Sequence, residues 1–436
     1  MVIGNLPDDW EWSTLDETCE IVLGQSPSSD TYNAEGIGLP FYQGKAEFGD
    51  LYPTPEKWCS SPKKIAEKDD ILISVRAPVG PTNLCPEKSC IGRGLAAIRP
   101  KEFPTKYFLH YLRYIEKEWD SKATGTTFKA ITGDVLRNQE IPLAPLPEQE
   151  RIVSRIEELF SDLEAGVAAL ERVRAGLKRY KASVLKAACE GKLLQQDPDD
   201  EPANGILVKV LAERKTKKPL TALPDNLSIL PAGWCWATTE QLADGSKYAL
   251  KAGPFGSSLK KEFYTPKGYK IYGQEQVISG DPHYGDYYID DERYEQLKSN
   301  AIKPGDILIS LVGTIGKVLI LPENIEPGII NPRLVKLSLD KRLIESKYLK
   351  IYMESEFAKH YFSTVSHGET MQILNLGILK LLPIPLPPLE EQRRIVAEVE
   401  RRLSVVGEVE SAVDVGLVRA GRLRQSVLRS AFEGRL

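Results

Sequence analysis

The chain contains an internal duplication. The thirteen residues Ile141–Val153 recur as Ile384–Val396 with ten identities, at an offset of 243 residues. At the same offset, Ser183–Leu193 recurs as Ser426–Leu436 with seven identities in eleven positions. A period of this length is far longer than the unit of a solenoid. The sequence therefore encodes two copies of a whole module, and any fold must contain the same architecture twice.

Upstream of these segments the two copies diverge. Leu6–Trp12 resembles Leu230–Trp236 at an offset of 224, and Asp70–Ser74 matches Asp306–Ser310 at an offset of 236. The drift of the offset places insertions inside the domains, ahead of the repeated tails. Each module is thus a variable domain followed by a nearly constant tail. The paired tryptophans are interpreted as core anchors at strand starts.

Both tails are predicted to be long helices. Apolar residues recur mostly in alternating steps of three and four from Ile152 to Val184, and again from Ile395 to Val427, which is a heptad seam. The simplest burial packs the two seams on each other as an antiparallel pair, with a pseudo-two-fold axis and the variable domains at opposite ends. The predicted core positions of this helical spacer are Ile152, Ile156, Leu163, Leu170, Leu177, Val184, Ile395, Val399, Val406, Val413, Leu423 and Val427.

The predicted fold class is α+β: two small α/β domains joined by two long antiparallel coiled-coil helices. Strand-like segments and one amphipathic helix per copy, at 106–119 and 347–362, predict a mixed sheet in each domain. The predicted divisions are domain one at 1–147, the central helix at 148–194, a linker with a short docking helix at 195–229, domain two at 230–388, and the C-terminal helix at 389–436.

Composition limits the class of protein. The chain of 436 residues is 42% hydrophobic and 27% charged, which is typical of globular domains. Its longest apolar runs are far shorter than a membrane span, and its first ten residues do not resemble a secretory signal. Six scattered cysteines without a C-x-x-C motif argue against a disulfide framework or a four-ligand zinc site, so a reducing cytoplasm is expected.

We found no catalytic motif that we would assign. Gly313–Val318 looks like the end of a phosphate loop but lacks its first glycine and the Ser/Thr after lysine. The four histidines do not cluster at metal spacing, and His110 and His360 are interpreted as packing or surface residues. We therefore predict a chain without catalytic residues, a metal or a bound cofactor.

Polar and basic residues gather at predicted strand ends and turns in both copies. Arg, Gln and Asn pair bidentately with base edges in the major groove, and Lys with backbone amides holds phosphates. Ordinary loop polarity is the alternative for any one residue. The corresponding places differ in identity between the copies, as two readers of different half-sites would. The candidate DNA contacts are Gln43, Lys45, Ser74, Arg76, Arg93, Thr126, Thr127, Lys129, Gln274, Gln276, Asn331, Arg333, His367, Thr370 and Gln372.

Net charge argues against unaided DNA binding of high affinity. The chain carries 57 basic and 61 acidic residues, for a net charge of −4, whereas proteins that bind DNA alone are usually basic. Residues 1–147 are acidic overall. Contacts with DNA must therefore be local or shared with a partner.

Two variable domains, each closed by I-P-L-x-P-L-x-E-Q-x-R-I-V and a helix ending S-V-L-x-x-A-x-E-G-[KR]-L, resemble the DNA-specificity subunit of type I restriction-modification systems. Gly24–Ser28 and Arg76–Gly80 also look like segments of that family. The resemblance covers essentially the whole chain.

The resemblance implies two target-recognition domains that read the halves of an interrupted site in double-stranded DNA. It implies a non-catalytic subunit that docks two methyltransferase (modification) subunits and, through them, the restriction subunits with their translocase and nuclease. S-adenosylmethionine, ATP and magnesium would belong to those partners, which would methylate adenine, and no membrane is involved.

Two other hypotheses remain open. A scaffold could use the helix pair for protein assembly without DNA, and it would copurify with no methyltransferase. A self-sufficient enzyme with an unrecognised site would show turnover by the isolated chain.

Overall fold

The computed structural model describes residues 6–125, 129–214, 223, 227–312, 315–365 and 374–436. The chain forms two compact units, one made of Met1–Arg172 with Val413–Leu436 and the other of Val173–Ala412. These units divide both long helices between them, so the five predicted segments stay a prediction.

The first copy alternates short strands with short helices before its long helix. Its strands are β1 (Glu11–Thr14), β2 (Cys19–Leu23), β3 (Tyr32–Asn33), β4 (Leu39–Tyr42), β5 (Lys57–Cys59), β6 (Ile65–Ala66), β7 (Ile71–Ser74), β8 (Thr82–Leu84), β9 (Ser89–Ile91), β10 (Leu95–Pro100) and β11 (Glu140–Leu143). Its helices are α1 (Leu15–Thr18), α2 (Thr105–Tyr114), α3 (Trp119–Lys122), α4 (Gly133–Arg137) and the long α5 (Leu146–Cys189), followed by the linker helix α6 (Ala203–Glu213).

The second copy repeats this order. Its strands are β12 (Cys235–Thr238), β13 (Leu250–Ala252), β14 (Tyr269–Tyr272), β15 (Tyr288–Ile289), β16 (Ile307–Ser310), β17 (Val318–Ile320), β18 (Gly328–Ile330), β19 (Leu334–Leu337) and β20 (Pro383–Leu386). Its helices are α7 (Thr239–Leu242), α8 (Gln274–Ser279), α9 (Asp291–Gln296), α10 (Ser346–Glu354), α11 (Glu356–Val365), α12 (Leu376–Leu381) and the long α13 (Leu389–Phe432).

Each copy contains several small sheets in place of the one mixed sheet that we expected. An antiparallel sheet of order β2-β10-β7-β8 in the first copy corresponds to β13-β19-β16-β17 in the second. A second sheet holds one parallel pair, β4 with β9 or β14 with β18. A third pairs the strand after the tryptophan with the strand before the long helix, β1 with β11 and β12 with β20. Which strands pair depends on contacts between segments far apart in sequence, so the alternation of strands and turns did not reveal how many sheets would form.

The predicted amphipathic helices are shorter than their sequence pattern. The segment 347–362 is divided at Ser355, which has an extended backbone with ψ of 157°. Its hydroxyl donates to Tyr352 O (2.6 Å) and accepts from Ala358 N (3.4 Å), so it ends one helix and caps the next. In the first copy, α2 ends at Tyr114 and is followed by a 3-10 turn. Local side-chain hydrogen bonds of serine compete with the helical ladder, which apolar periodicity does not reveal.

The long helices are 44 residues each and run antiparallel. In the first unit, the beginning of α5 packs on the end of α13, where the Arg424 guanidinium lies 4.5 Å from the centre of the Phe160 ring and 2.7 Å from a Glu164 oxygen. In the second unit, the end of α5 shares an apolar cluster with the beginning of α13 through Val184 and Ile395. The start of each helix thus packs against the end of the other.

The seam positions differ in burial. Buried members are Ile152, Ile156, Val184, Ile395, Val399, Val406 and Val413, and half-buried ones are Leu163, Leu170, Leu177 and Val427. Leu423 is 42% exposed and does not fit a core position. The reason is that α13 carries the small residues Gly416 and Ala420 on this stretch, which leaves an apolar groove of about 560 Å³ beside α5 with Leu423 on its wall.

Candidate nucleic-acid interface

The same backbone frame supports the candidate site in both copies. A buried tyrosine ends the strand that forms the parallel pair, Tyr42 on β4 and Tyr272 on β14. Its carbonyl accepts from the residue after the partner strand, Gly92 N at 2.8 Å or Asn331 N at 2.9 Å. Burial raises the pKa of both tyrosines to about 12, so each side chain is neutral at physiological pH.

In each copy, a glycine lies beside this strand pair at a point where two backbone segments come into close contact. Gly24 N donates to Leu95 O at 2.9 Å, and Gly253 N donates to Leu334 O at 2.8 Å. A Cβ at Gly24 would lie 2.1 Å from the nearest backbone oxygen, and one at Gly253 would lie 1.8 Å away. No larger residue fits at either position without moving the turn beside it.

The first copy holds a small polar pocket at this frame, which we call the first cleft. Its volume is about 220 Å³. Five of the predicted contacts converge there from separate parts of the sequence. The lining residues are Ser26, Gln43, Gly44, Lys45, Ser74, Arg76, Ala77, Arg93 and Gly94.

Three cationic side chains line the first cleft. Lys45, Arg76 and Arg93 are exposed, and within the described ranges none of them forms an ion pair with a carboxylate. Gln43 is exposed beside them. Unpaired cations around an amide side chain can hold phosphate oxygens and contact base edges.

Two predicted residues of the first copy have other roles or lie at the margin. The Ser74 side chain is 2% exposed and donates to Arg76 O at 2.9 Å. It therefore shapes the turn that carries Arg76, and we remove it from the candidate base contacts. Lys129 is exposed, and its ammonium pairs with Asp120 at 2.6 Å. Its backbone carbonyl accepts from Ala77 N at 3.0 Å, which places Lys129 along the edge of the cleft.

The equivalent place in the second copy, which we call the second cleft, is connected by internal hydrogen bonds. The Gln274 amide donates to Ser310 Oγ at 2.8 Å and to the carbonyl of Val312. The Gln274 carbonyl oxygen accepts from Arg333 Nη1 at 3.5 Å. Asn331 accepts from Arg333 N at 2.9 Å, which fixes the turn under that arginine. Arg333 is exposed, so its guanidinium is held at one end and open to a ligand.

Gln276 does not belong to the exposed set. It is 2% exposed, its Oε1 accepts from Gly273 N at 2.8 Å, and its Nε2 donates to Tyr284 O at 2.7 Å. Both polar atoms of the amide are therefore satisfied inside the chain. Gln276 positions the loop that carries Gln274, and we remove it from the candidate base contacts.

Five predicted residues cannot be placed. Thr126, Thr127, His367, Thr370 and Gln372 lie outside the described residues.

Sequence reasoning missed three residues at these clefts. The Ser26 hydroxyl accepts from Arg93 N at 3.3 Å, and Phe255 occupies the same place relative to Gly253 with an 88% exposed side chain. Lys317 is exposed, and its carbonyl accepts from Ser310 N at 3.0 Å. For Ser26 and Phe255 the signal was the two-residue spacing from the glycine, Gly24-x-Ser26 and Gly253-x-Phe255, which becomes visible only when the copies are aligned on the structure, and no such spacing marks Lys317.

Other binding chemistry is not evident in the described part of the chain. There, no group of three or more His, Cys, Asp or Glu side chains is arranged to hold a metal ion, and the six cysteines are free. Among these same residues, no helix combines the length and apolar character that a membrane crossing requires.

Comparison with known proteins identifies the family. The type I restriction modification DNA specificity domain matches residues 7–172 and 255–401, together more than half of the chain. The putative type I restriction enzyme MjaX specificity subunit of Methanocaldococcus jannaschii is 44% identical over 195 residues, which are 44% of this chain and 45% of that protein. The EcoBI specificity subunit of Escherichia coli is 24% identical over 445 residues, 99% of this chain and 87% of that protein.

Solved structures agree on the fold. A chain from a structure of a type I R-M system superposes with a TM-score of 0.67 at 22% identity, covering 99% of this chain and 100% of that one. The HsdS subunit from Thermoanaerobacter tengcongensis superposes with a TM-score of 0.50 at 23% identity, covering 99% of both chains. The chain therefore belongs to the type I restriction-modification DNA specificity family, as a recognition subunit that is not itself an enzyme.

Proposed function

We propose that each copy reads one half of an interrupted site in duplex DNA, the first copy through the first cleft and the second copy through the second cleft. The observation that carries this proposal is a repeated backbone frame with unlike side chains. Three unpaired cations surround Gln43 in one copy, whereas one arginine tethered to Gln274 stands in the other. Two different half-sites require two different sets of hydrogen-bond donors and acceptors on one scaffold.

We assign Arg333 to a guanine edge and Gln43 to an adenine edge. A guanidinium matches O6 and N7 of guanine, and a carboxamide matches N6 and N7 of adenine. Lys45, Arg76 and Arg93 would serve backbone phosphates and fix the register. Phe255 would contact a thymine methyl group or the face of a base.

The test is to sequence modified adenines in cells that carry the complete system with a variant specificity subunit. Arg333→Ala should relax one half of the recognised site and leave the other half unchanged, with a loss of about 1–3 kcal/mol in base discrimination. Gln43→Ala should do the same to the other half. Lys68→Ala, at an exposed lysine outside both clefts, is the matched control. A methylation pattern that both cleft variants leave unchanged contradicts the assignment.

We also propose that the long helices dock two modification subunits, whose S-adenosylmethionine-dependent chemistry is directed to the sites that the clefts recognise, with restriction subunits joining through them. Apolar side chains on α13 point into solvent and are not used by the seam: Val405 is 52%, Val415 65% and Val418 56% exposed. The groove beside Leu423 adds further apolar surface. Exposed apolar side chains that the chain itself does not cover are typical of protein interaction sites.

Docking can be tested separately from recognition. Val415→Asp with Val418→Asp should reduce the number of bound modification subunits in native mass spectrometry, because the change places charge on the docking face. The variant should unfold as the wild type does, since both side chains are exposed. Full assembly of the variant would rule out this face as a docking site.

A further inference from the structure

The two long helices end at the same repeat position on different residues. α13 ends at Phe432 and α5 at Cys189. In the first unit the Phe432 ring is buried among three tyrosine rings, with centroids 5.3 Å from Tyr107, 5.2 Å from Tyr111 and 5.9 Å from Tyr114. Two of these contacts are edge-on and the third is stacked. The helix of the second module therefore supplies the ring that completes an aromatic box in the first unit.

The second unit repeats the frame of that box. Tyr348 and Tyr352 hold the places of Tyr107 and Tyr111. In each copy the two hydroxyls donate to carbonyl oxygens of the strand before the long helix, β11 in the first and β20 in the second. The backbone and two of the box tyrosines are thus common to both copies.

The second unit lacks the other two rings. Cys189 stands for Phe432, and Ser355 stands for Tyr114. A pocket of about 470 Å³ occupies this place and opens to the surface. Its lining includes Cys189, Tyr352, Ser355, Trp236, Phe357 and Ile229. An apolar cavity of about 150 Å³ is enough to bind benzene, so the space admits an aromatic ring.

The walls of the pocket favour a ring over a charged or reactive ligand. Trp236 and Phe357 stack at 5.9 Å with an interplanar angle of 28° and form one side. Burial raises the pKa of Cys189 to about 12, so its sulfur is a neutral, unreactive thiol. The two rim lysines both pair with Glu190, at 3.8 Å from Lys186 and 2.8 Å from Lys192.

The exposed apolar side chains around the opening of the pocket indicate that the ligand is part of a polypeptide. Ile229 is 99% exposed and Phe357 is 43% exposed beside the opening. A free aromatic molecule inside the pocket would leave both in water. A protein surface that inserts a ring would cover them, and such coverage is the usual reason for apolar side chains around a concave site.

We propose that this pocket receives one phenylalanine or tyrosine side chain from a modification subunit, in the place that Phe432 fills in the first unit. The identity of the partner rests on the proposed function. The two docking faces of the specificity subunit are then unequal: one carries its own ring, and the other takes a ring from its partner.

The first test uses the chain alone. p-Cresol, which is the tyrosine side chain without its backbone, is titrated into the full chain and followed by NMR. Wild type should bind it saturably. Cys189→Phe, which installs the ring that Phe432 supplies in the first unit, should weaken binding at least tenfold and leave the chain folded with an equal or higher Tm. Val208→Phe adds a ring at a 59% exposed position of α6 and is the matched control.

The second test counts bound modification subunits by native mass spectrometry over a range of concentrations. Wild type should bind two, and Cys189→Phe should bind one of them at least tenfold more weakly. Phe357→Ala, which removes an exposed wall of the pocket, should weaken the same partner and p-cresol together, so the result does not depend on how the buried cysteine position tolerates a ring.

The outcomes separate the two ideas. Equal binding of both partners by wild type and by Cys189→Phe would overturn this proposal while leaving the proposed function intact. If p-cresol binding is lost in Cys189→Phe but both partners still bind, the pocket takes only a free aromatic molecule. A wild type that binds no modification subunit would overturn this proposal together with the proposed docking of modification subunits. If the wild type does not bind p-cresol, the pocket is only a packing defect and does not receive an aromatic ring.

Discussion

The two copies share the same pattern of backbone hydrogen bonds and differ in the side chains that pack around it. In the first copy, His110 lies on α2 and Thr82 lies on β8. In the second copy, Ile351 on α10 and Val318 on β17 hold the same places. The second pair packs in an apolar cluster. In the first pair, the imidazole nitrogens and the hydroxyl have no hydrogen-bond partner among the described residues. The comparison shows that the shared backbone accommodates either polar or apolar side chains at these positions, so the side chains of the two copies could diverge there.

The clefts differ in the same way. The first has exposed cations that form no ion pair with a carboxylate within the described ranges, and the second has an arginine held by a glutamine that is itself anchored. A tethered arginine loses less conformational freedom on binding than a free one. We therefore expect the second copy to discriminate bases more sharply and the first to respond more strongly to salt.

The largest expected difference between the copies lies at the ends of the long helices. Phe432→Ala should lower the free energy of unfolding by about 4 kcal/mol, because it removes a buried ring from a packed box. Cys189→Ala should cost about 1 kcal/mol or less, because its surroundings already contain a pocket. Urea unfolding measures both. Equal costs would mean that the two boxes are packed alike.

His110 should give the first copy a pH dependence of stability that the second copy, with Ile351 at the same place, does not share. Burial lowers its pKa to about 3 in the folded chain, against about 6.5 when unfolded. The unfolded state then binds more protons between these values, so stability is retained above about pH 6.5 and is lost as pH falls toward 3. At pH 4.5 the loss is about 2.7 kcal/mol.

His110→Ile, which copies the second module, should abolish this part of the loss in urea unfolding at pH 7 and pH 4.5. His360→Ile, at an exposed position, is the control and should leave it in place. A pH dependence that His110→Ile does not change would assign the loss to other groups.

Two buried aspartates at equivalent positions should respond differently to the same substitution in the two copies. Asp70 accepts from Arg99 Nε at 2.7 Å and Nη2 at 2.8 Å, so Asp70→Asn should cost about 2 kcal/mol. Asp306 has the same place but accepts from the Ser338 hydroxyl, and burial raises its pKa. Asp306→Asn should therefore cost less than Asp70→Asn in urea unfolding at pH 7.

The sign of the pH effect gives a second check on Asp306. A carboxyl whose folded pKa is raised contributes stability below its unfolded pKa, and that contribution is lost as pH rises through the folded pKa. Asp306→Asn should therefore compare more favourably with wild type at pH 7 than at pH 4. The opposite trend would show that the folded state favours the carboxylate.

The smallest effect is expected at the exposed seam position. Leu423→Ser should change the unfolding free energy of the chain alone by no more than about 0.5 kcal/mol. Val413→Ser, at a position that is 3% exposed on the same helix, should cost about 2 kcal/mol. A large cost at Leu423 would show that the groove closes over it in solution.

Much of the fold could be predicted from the sequence. The heptad spacing from Ile152 and Ile395 predicted two long helices, and the structure has α5 and α13 there. Their packing on each other followed because two near-identical apolar seams must both be buried, and the structure shows that the pair runs antiparallel. The breaks at Tyr114 and Ser355 did not follow, because they depend on local hydrogen bonding and not on apolar period. The division of each domain into several sheets depends on pairings between strands far apart in sequence.

The candidate site was only partly predictable. Strand-end position and residue type located Gln43, Arg76 and Arg93, which the structure brings to one cleft. The same rule selected Ser74 and Gln276, whose polar atoms bond to the backbone of their own turns. Phe255 was missed because its type does not suggest DNA contact.

The sequence by itself determined that there are two modules, that each ends in a long helix, and which family they belong to, because repetition and apolar period are written in consecutive residues. Only the tertiary structure decided which polar side chains face solvent and where the second unit leaves an aromatic pocket open. Those outcomes depend on hydrogen bonds and packing between segments that are distant along the chain, such as Cys189 and Ser355.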